Sequence, residues 1–355
     1  MKWLLALLGS LGLVAGATAD ITVRLSVKAV LDPATGMRQT NVTEATFSNV
    51  VTTINTLLDS YGRGYRYWWD GVLHNVGGLG QTSSGPSKYY DVNFHDPANA
   101  DLKDQMENDA LNNPAAFQWS TTAINIYIVR YGGANWNVCS FPGNDIVLLN
   151  GALGYSTPAT VLHETSHYFN LAHTFNGEQY QNADNSDCTN NCACAMITPG
   201  DSDAVEDTIL DAICWTSQDA IAQGNFNKSY ATLTFAQQAS VDRLWNNIMS
   251  YHGRQNTNVF LLTTDQLDRW TDSANEDRAA VCTGRTWFVD ATSWGWLNIG
   301  SSASPLPSIL QGVASAKASG GDIILVRPGH YNEPQTITKP VVLRGTRGGG
   351  VIGAP

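Results

Sequence analysis

The stretch TPATVLHETSHYFNLAHTF, residues 157–175, combines the signals of a helix start with three histidines. Thr157 suits the N-cap of a helix and Pro158 suits its first position, which predicts a helix from residue 158 onward. On that helix, His163 and His167 lie one turn apart on the same face. Two imidazoles at this spacing can bind a single metal ion.

A third ligand would complete a catalytic metal site, which keeps its fourth position open for water. His173 can supply that ligand if the chain turns sharply after His167. The turn needs left-handed backbone, and Asn170 belongs to the residue type that tolerates it best after glycine. Glu164 then lies beside the metal, where its carboxylate can accept a proton from bound water. The alternative is a helix with three incidental histidines, a pattern expected by chance in roughly 5 of 100,000 such chains.

A second motif, NNIMSY at residues 246–251, follows the histidine motif in the sequence. Met249 predicts a Met-turn, in which a thioether packs beneath the three imidazoles, whereas alone it would indicate an ordinary core residue. Tyr251 lies two residues later and can hydrogen-bond an oxyanion near the metal.

Together these motifs resemble those of the pappalysin-type, cytophagalysin-like metzincin zinc proteases. The likeness covers roughly residues 120–275 and includes LAHTF (171–175), GDSDAVEDT (200–208), NIMSY (247–251) and LTTDQLDR (262–269). The resemblance implies an α+β metzincin fold, in which a twisted sheet and an active-site helix lie above an irregular lower subdomain. It also implies a secreted endopeptidase that acts on proteins or peptides. Asn170 departs from the family pattern, which usually has glycine there.

The resemblance assigns roles to individual residues. Glu164 would be the general base and Tyr251 would stabilise the oxyanion. The strand predicted at residues 123–131, or its neighbour, would pair with extended substrate. Zinc would be held by His163, His167 and His173. The family also often binds calcium in the loop after the zinc helix. The candidate ligands are Asp201, Asp203, Asp207 and Thr208. The alternative is that these are solvated loop residues that bind no ion.

The amino terminus has the pattern of a secretory signal peptide over residues 1–19. Lys2 precedes an apolar run, and a small-residue cleavage site, ATA, occupies residues 17–19. A membrane anchor is the alternative, but the run is too short to span a bilayer. Export predicts an oxidising compartment, in which the six cysteines can form disulfides. Cys188, Cys192 and Cys194 could instead hold zinc, although Cys-x-Cys without a second pair suits tetrahedral zinc poorly.

The composition narrows the possible partners. The 31 acidic residues outnumber the 20 basic ones and give a formal net charge of −11, which argues against nucleic-acid binding. After the amino terminus, no apolar run approaches the ~18 residues of a membrane-spanning helix.

The composition changes after residue 282, which predicts a protease domain over residues 20–282 and a different segment over 283–355. In that second segment a helical pattern at 305–318 precedes short strands near 322–331 and 341–344, about 19 residues apart. This pattern resembles the first coils of pectate-lyase-type right-handed β-helices and implies a partial β-helix that could contact glycans. A solenoid needs about three repeats to bury its core, so we expect the segment either to dock on the protease or to belong to a longer solenoid.

Two other functions fit parts of the sequence. One is an extracellular binding or adhesion protein with a vestigial protease domain and a glycan-binding solenoid. The other is a thermolysin-like zinc enzyme, whose third ligand would be a distant glutamate rather than His173.

Overall fold

The computed structural model shows a mixed α/β protein with a mostly parallel sheet. It describes residues 19–94, 102–130, 138–139, 146–152, 154–175, 205, 207–212, 215–252, 261–293, 298–332, 336–346 and 350–353. Nearly all of the predicted signal peptide therefore lies outside the described residues. The chain divides into a larger unit, residues 23–63 and 67–282, and a smaller unit, residues 1–22, 64–66 and 283–355.

The larger unit combines helices with the core of the sheet. Its helices are α1 (Glu44–Tyr61), α2 (Leu102–Asn112), α3 (Pro114–Phe117), α4 (Pro158–Tyr168), α5 (Gln218–Phe226), α6 (Phe235–Trp245) and α7 (Thr264–Asn275). Its strands are β1 (Asp20–Val30), β2 (Tyr65–Trp69), β3 (His74–Val76), β4 (Ile124–Val129), β5 (Val138–Cys139) and β6 (Ile146–Asn150), of which β1 and β2 begin with residues of the smaller unit.

The predicted strand at 123–131 is confirmed as β4, and a second apolar strand, β6, lies beside it. β4 lies between β1 and β6 and is parallel to both, while β5 runs antiparallel to β6. Every residue of β4 and β6 is buried, as expected of apolar strands covered on both faces. Since β4 has a strand on each side, it has no edge left to pair with substrate. Among the described strands, β5 is the neighbour that can offer one.

Helix α1 packs against α4 and contacts β2, where the rings of Phe47 and Trp69 meet. Its buried residues include Val50, Ile54 and Leu58, which recur at helical spacing. The Thr43 side chain caps its first turn, and Gly62 ends it in left-handed backbone with a φ of 68°. α1 thereby helps to bury α4, the helix that carries the histidine motif.

The smaller unit has its own strand ladders. Its elements are β7 (Arg285–Val289), α8 (Ile309–Ser315), β8 (Ile323–Val326), β9 (Gly329–Tyr331), β10 (Val342–Gly345) and β11 (Gly350–Ile352). β8 is parallel to both β7 and β10, and β11 is parallel to β9. Ile323 pairs with Val342 and Gly329 with Gly350, so paired positions are 19 and 21 residues apart. This offset accounts for the spacing seen in the sequence.

Two features of the smaller unit differ from expectation. The predicted helix at 305–318 is shorter, because α8 covers only Ile309–Ser315 and begins at the capping side chain of Ser308. β7 also pairs antiparallel with Asp20 and Ile21, a contact between positions far apart in the sequence. The apolar core nevertheless forms as the pattern indicated, with Ile309 and Val313 of α8 packed on the strands.

Among the described residues, no helix combines the length and the apolar character that a bilayer crossing requires.

Candidate metal centre

The three predicted metal ligands meet at one point. The Nε2 atoms of His163 and His167 are 3.0 Å apart, and His173 Nε2 is 3.1 Å from each of them. His163 and His167 are buried on α4, with exposed fractions of 2% and 7%. Among the described residues, these histidines form the one group of three potential metal ligands whose donor atoms converge. The structure therefore confirms that spacings of four and six residues place all three imidazoles together.

Hydrogen bonds on the far side of two rings select their tautomer. His163 Nδ1 lies 2.7 Å from the carbonyl oxygen of Ile248, and His167 Nδ1 lies 2.6 Å from that of Leu171. A carbonyl only accepts, so each Nδ1 must carry the proton, and in a neutral ring Nε2 is then a bare lone pair. Lone pairs this close repel one another unless a cation lies between them.

The donor set fits a divalent transition metal. Imidazole nitrogens suit zinc and its neighbours in the first transition row. A tetrahedral ion with Zn–N bonds of 2.0–2.1 Å would hold its nitrogens roughly 3.3 Å apart, close to the separations of 3.0–3.1 Å seen here. Carbonyl partners on Nδ1 are also the usual support for metal-bound histidine. These three histidines can therefore hold a metal ion.

A left-handed residue brings His173 to the other two ligands. α4 ends at Tyr168, and Asn170 has a φ of 63°, the conformation that asparagine was predicted to supply. The Asn170 side-chain amide donates to Ser273 Oγ and Asp277 Oδ2, both at 2.9 Å. These bonds fix the turn through a side chain that glycine lacks.

Two arginines secure the carboxyl end of α4. Arg269 Nε donates to the Asn170 carbonyl at 2.6 Å, and Arg278 Nε donates to the Tyr168 carbonyl at 3.0 Å. Cations are favourable at a helix carboxyl end because the exposed carbonyls carry partial negative charge. Arg269 belongs to the LTTDQLDR stretch, so the structure gives that part of the motif a role in holding α4.

The predicted Met-turn lies next to the histidines. Met249 is completely buried, and its carbonyl accepts the Thr174 amide at 3.3 Å. Asn247 shapes the turn, since its Oδ1 accepts the Met249 amide at 2.8 Å. The preceding residue, Ile248, provides the carbonyl that faces His163. The segment therefore contacts His163 directly, through the Ile248 carbonyl, and lies next to His173 through the bond to Thr174.

Tyr251 contacts the same cluster. Its ring centroid is 5.0 Å from that of His173 and 6.1 Å from that of His163. Phe175 packs on both Tyr251 and His173, at centroid distances of 4.6 and 4.7 Å. The ring of Tyr251 thus lies beside the ligands, as the sequence predicted.

Glu164 is buried on α4, directly after the first ligand, with 4% of its surface exposed. The helix is anchored at its next residue, Thr165, which accepts a hydrogen bond of 2.8 Å from the Tyr67 hydroxyl. The predicted helix start is confirmed, since Thr157 is the N-cap residue and α4 begins at Pro158, although the Thr157 side chain makes no capping hydrogen bond.

The proposed calcium ligands are only partly described. Asp201 and Asp203 lie outside the described residues. Asp207 Oδ2 accepts the Asp265 amide at 3.1 Å, its Oδ1 is buried without a hydrogen-bond partner, and Thr208 is buried. Within the described part of the chain, no second group of three converging ligands accompanies the three histidines. The calcium assignment therefore stays a prediction.

The sequence matches no protein-family model, and no curated protein is significantly similar to it.

The described residues include one cysteine thiol, at Cys282, and it is free. Burial raises its pKa to about 12, so the thiol stays protonated at neutral pH. The side chains of Cys139, Cys188, Cys192, Cys194 and Cys214 lie outside the described residues, and the predicted disulfides and the rival cysteine zinc site lie there with them.

One buried pair beside the metal site was not anticipated. His252 Nε2 contacts Asp211 Oδ1, and the other carboxylate oxygen of Asp211 accepts the Thr174 hydroxyl. His252 could be noticed in the sequence because it follows Tyr251. Nothing in the local pattern singles out Asp211, whose partner is 41 residues away.

Proposed function

We propose that the protein is a secreted zinc endopeptidase of the metzincin type that hydrolyses peptide bonds in protein or peptide substrates. The observation that carries the proposal is the convergence of three histidine Nε2 atoms within 3.1 Å of one another, two of them held as bare lone pairs by carbonyls. Glu164, Met249 and Tyr251 accompany them in the positions that the motif requires.

A zinc ion held by His163, His167 and His173 would polarise the scissile carbonyl and lower the pKa of bound water. Glu164 takes up the proton released by the attacking water and then passes it to the leaving amine. Its burial beside the first ligand shields this proton transfer from bulk water. Tyr251 donates its hydroxyl hydrogen to the carbonyl oxygen as negative charge develops there.

The sheet supports the same proposal. β5 is the last strand on its side of the described sheet and contacts α4, so it can add an extended peptide as a further strand through main-chain hydrogen bonds. This kind of contact would place the substrate backbone along the active-site helix. It assigns substrate pairing to β5 rather than to the buried β4.

The finer assignments follow from the same resemblance. We assign residues 20–282 to a metzincin-type domain and residues 283–355 to a partial parallel β-helix, the latter supported by the pairing offsets of 19 and 21 residues. The sequence pattern at residues 1–19 supports secretion. The location of His173 favours this assignment over a thermolysin-like enzyme, because its Nε2 is as close to the other ligands as they are to each other.

The test uses Glu164→Ala in the purified full chain. We expect this variant to retain about one zinc per chain and to lose peptidase activity by about 10²–10⁴-fold, the usual contribution of a general base. Activity is measured by mass spectrometry on a peptide library, with and without a chelator. Glu107→Gln is the matched control, since Glu107 is a buried carboxylate on α2, and it should leave cleavage unchanged.

Unchanged cleavage by Glu164→Ala would contradict the mechanism. A folded wild-type protein that contains zinc but cleaves no member of the library would contradict the proposed activity.

A further inference from the structure

A buried carboxylate connects the two segments that flank the metal site. Asp211 accepts the Thr174 hydroxyl through Oδ2 and contacts His252 Nε2 through Oδ1. The side chains of His252 and Asp211 are 3% and 0% exposed. A carboxylate in such a place is destabilising unless its oxygens are paired, so its two partners are a structural requirement.

The two partners are adjacent in sequence to the groups that matter for the proposed reaction. Thr174 directly follows the third ligand, His173, and His252 directly follows Tyr251. Asp211 therefore links the residue after the ligand to the residue after the tyrosine. A shift at either end would move the ring of Tyr251 relative to His173.

His252 is also held on its other side. Its ring lies parallel to that of Trp245 at the end of α6, with a centroid distance of 5.7 Å and an interplanar angle of 2°. Its backbone amide donates to Ser250 Oγ at 3.2 Å. The imidazole is therefore fixed in both distance and orientation when it meets Asp211.

Tyr251 depends on neighbours for its own position. Its ring packs on Phe175 and His173, at centroid distances of 4.6 and 5.0 Å, and both of these residues adjoin Thr174. Through His252, Asp211 thus restrains the backbone next to Tyr251. Through Thr174, it restrains the segment of His173 and Phe175, on which the Tyr251 ring packs.

Resting on the proposed function, we propose that Asp211 and His252 are positioning residues that hold the Tyr251 hydroxyl where the oxyanion forms. They set the rate of the chemical step, not the affinity for zinc or for substrate. Hydrogen-bond donors of this kind stabilise the transition state only when they are aimed at the developing charge, and a misplacement of about 1 Å can lower turnover about 100-fold.

The experiment is a double-mutant cycle in the full zinc-loaded chain, with a fluorogenic peptide that the wild type cleaves. His252→Phe keeps the stacking on Trp245 and removes the contact with Asp211. We expect it to lower kcat about 10–100-fold, with KM and the zinc dissociation constant changed less than about threefold. His252→Gln retains a donor for Asp211 and should recover most of the lost turnover.

Tyr251→Phe should lower kcat about 100-fold. In that background His252→Phe should have little further effect, since a residue that acts through Tyr251 has nothing left to position. If His252→Phe does not fold, Thr174→Val replaces it in the cycle, because it removes the other partner of Asp211 with a side chain of similar shape.

Tyr230→Phe is the matched control. It removes the hydroxyl that donates to Asp242 Oδ1 on α6 at 2.6 Å. This hydrogen bond does not involve Tyr251, so kcat should be unchanged. Equal losses from His252→Phe with and without the Tyr251 hydroxyl, or a loss of zinc binding in step with activity, would overturn the positioning role. A folded wild-type chain that contains zinc but cleaves no peptide would instead contradict the proposed function itself.

Discussion

Asn170 offers a test of the turn that completes the ligand set. In Asn170→Ala, an alanine would have to adopt a φ of 63°, which costs an ordinary residue about 1–2 kcal/mol. The variant also loses the hydrogen bonds to Ser273 and Asp277. The Ser273 bond is partly buried and contributes about 1 kcal/mol, and the exposed Asp277 bond contributes less.

These contributions predict that Asn170→Ala lowers the free energy of unfolding by about 2–3 kcal/mol, or the melting temperature by about 5–10 °C. Asn170→Gly removes the strain and loses the same hydrogen bonds. Its extra freedom in the unfolded chain offsets part of the benefit, so it should be more stable than Asn170→Ala by only about 0.5–1 kcal/mol. Ser273→Ala, which leaves the turn unstrained, should cost about 1 kcal/mol.

The assay is urea unfolding of the metal-free proteins, followed by zinc titration of the folded ones. Because the turn places His173, Asn170→Ala should also bind zinc at least about tenfold more weakly, whereas Ser273→Ala should bind it normally. Asn170→Ala with wild-type stability and wild-type zinc affinity would refute the argument that this left-handed residue assembles the site.

Two further predictions concern buried titratable groups. Lys28 is buried with its Nζ 2.6 Å from Asn125 Oδ1, and burial lowers its pKa to about 7. Between pH 7 and 10 the unfolded chain therefore binds a proton that the folded chain does not, so the free energy of unfolding should rise with pH by up to about 1.4 kcal/mol per unit. Lys28→Met should abolish that rise in urea titrations, and an unchanged pH dependence would contradict it. Cys282, with a pKa raised to about 12 by burial, should react slowly with iodoacetamide at pH 8 and rapidly in urea, and rapid labelling of the folded protein would contradict the burial.

Local periodicity accounts for what the sequence could predict. The convergence of His163, His167 and His173 depends on one helix and one turn, so the residues between them are enough to predict it. The strands β4 and β6 likewise appear in the sequence as short apolar runs, and the helix α1 appears as apolar residues at helical spacing. The offset of the parallel strands in the smaller unit follows from a repeat along the chain.

Contacts between distant positions could not be found in this way. The pairing of Asp20 and Ile21 with β7, inside the smaller unit, joins residues more than 260 positions apart, and no local pattern records it. The Asp211–His252 contact and the binding of Arg278 to the end of α4 depend on the same tertiary packing. At Thr157 a local pattern predicts more than the structure uses. The residue is the N-cap of α4, but its side chain makes no capping hydrogen bond.

The proposed function requires that the three histidine Nε2 atoms bind zinc. The most direct measurement is X-ray diffraction from crystals of the purified protein on both sides of the zinc absorption edge. We expect one strong anomalous peak per chain, about 2.0–2.1 Å from Nε2 of His163, His167 and His173, and its loss in His173→Ala. An anomalous peak elsewhere, no peak at all, or normal zinc binding by His173→Ala would contradict it.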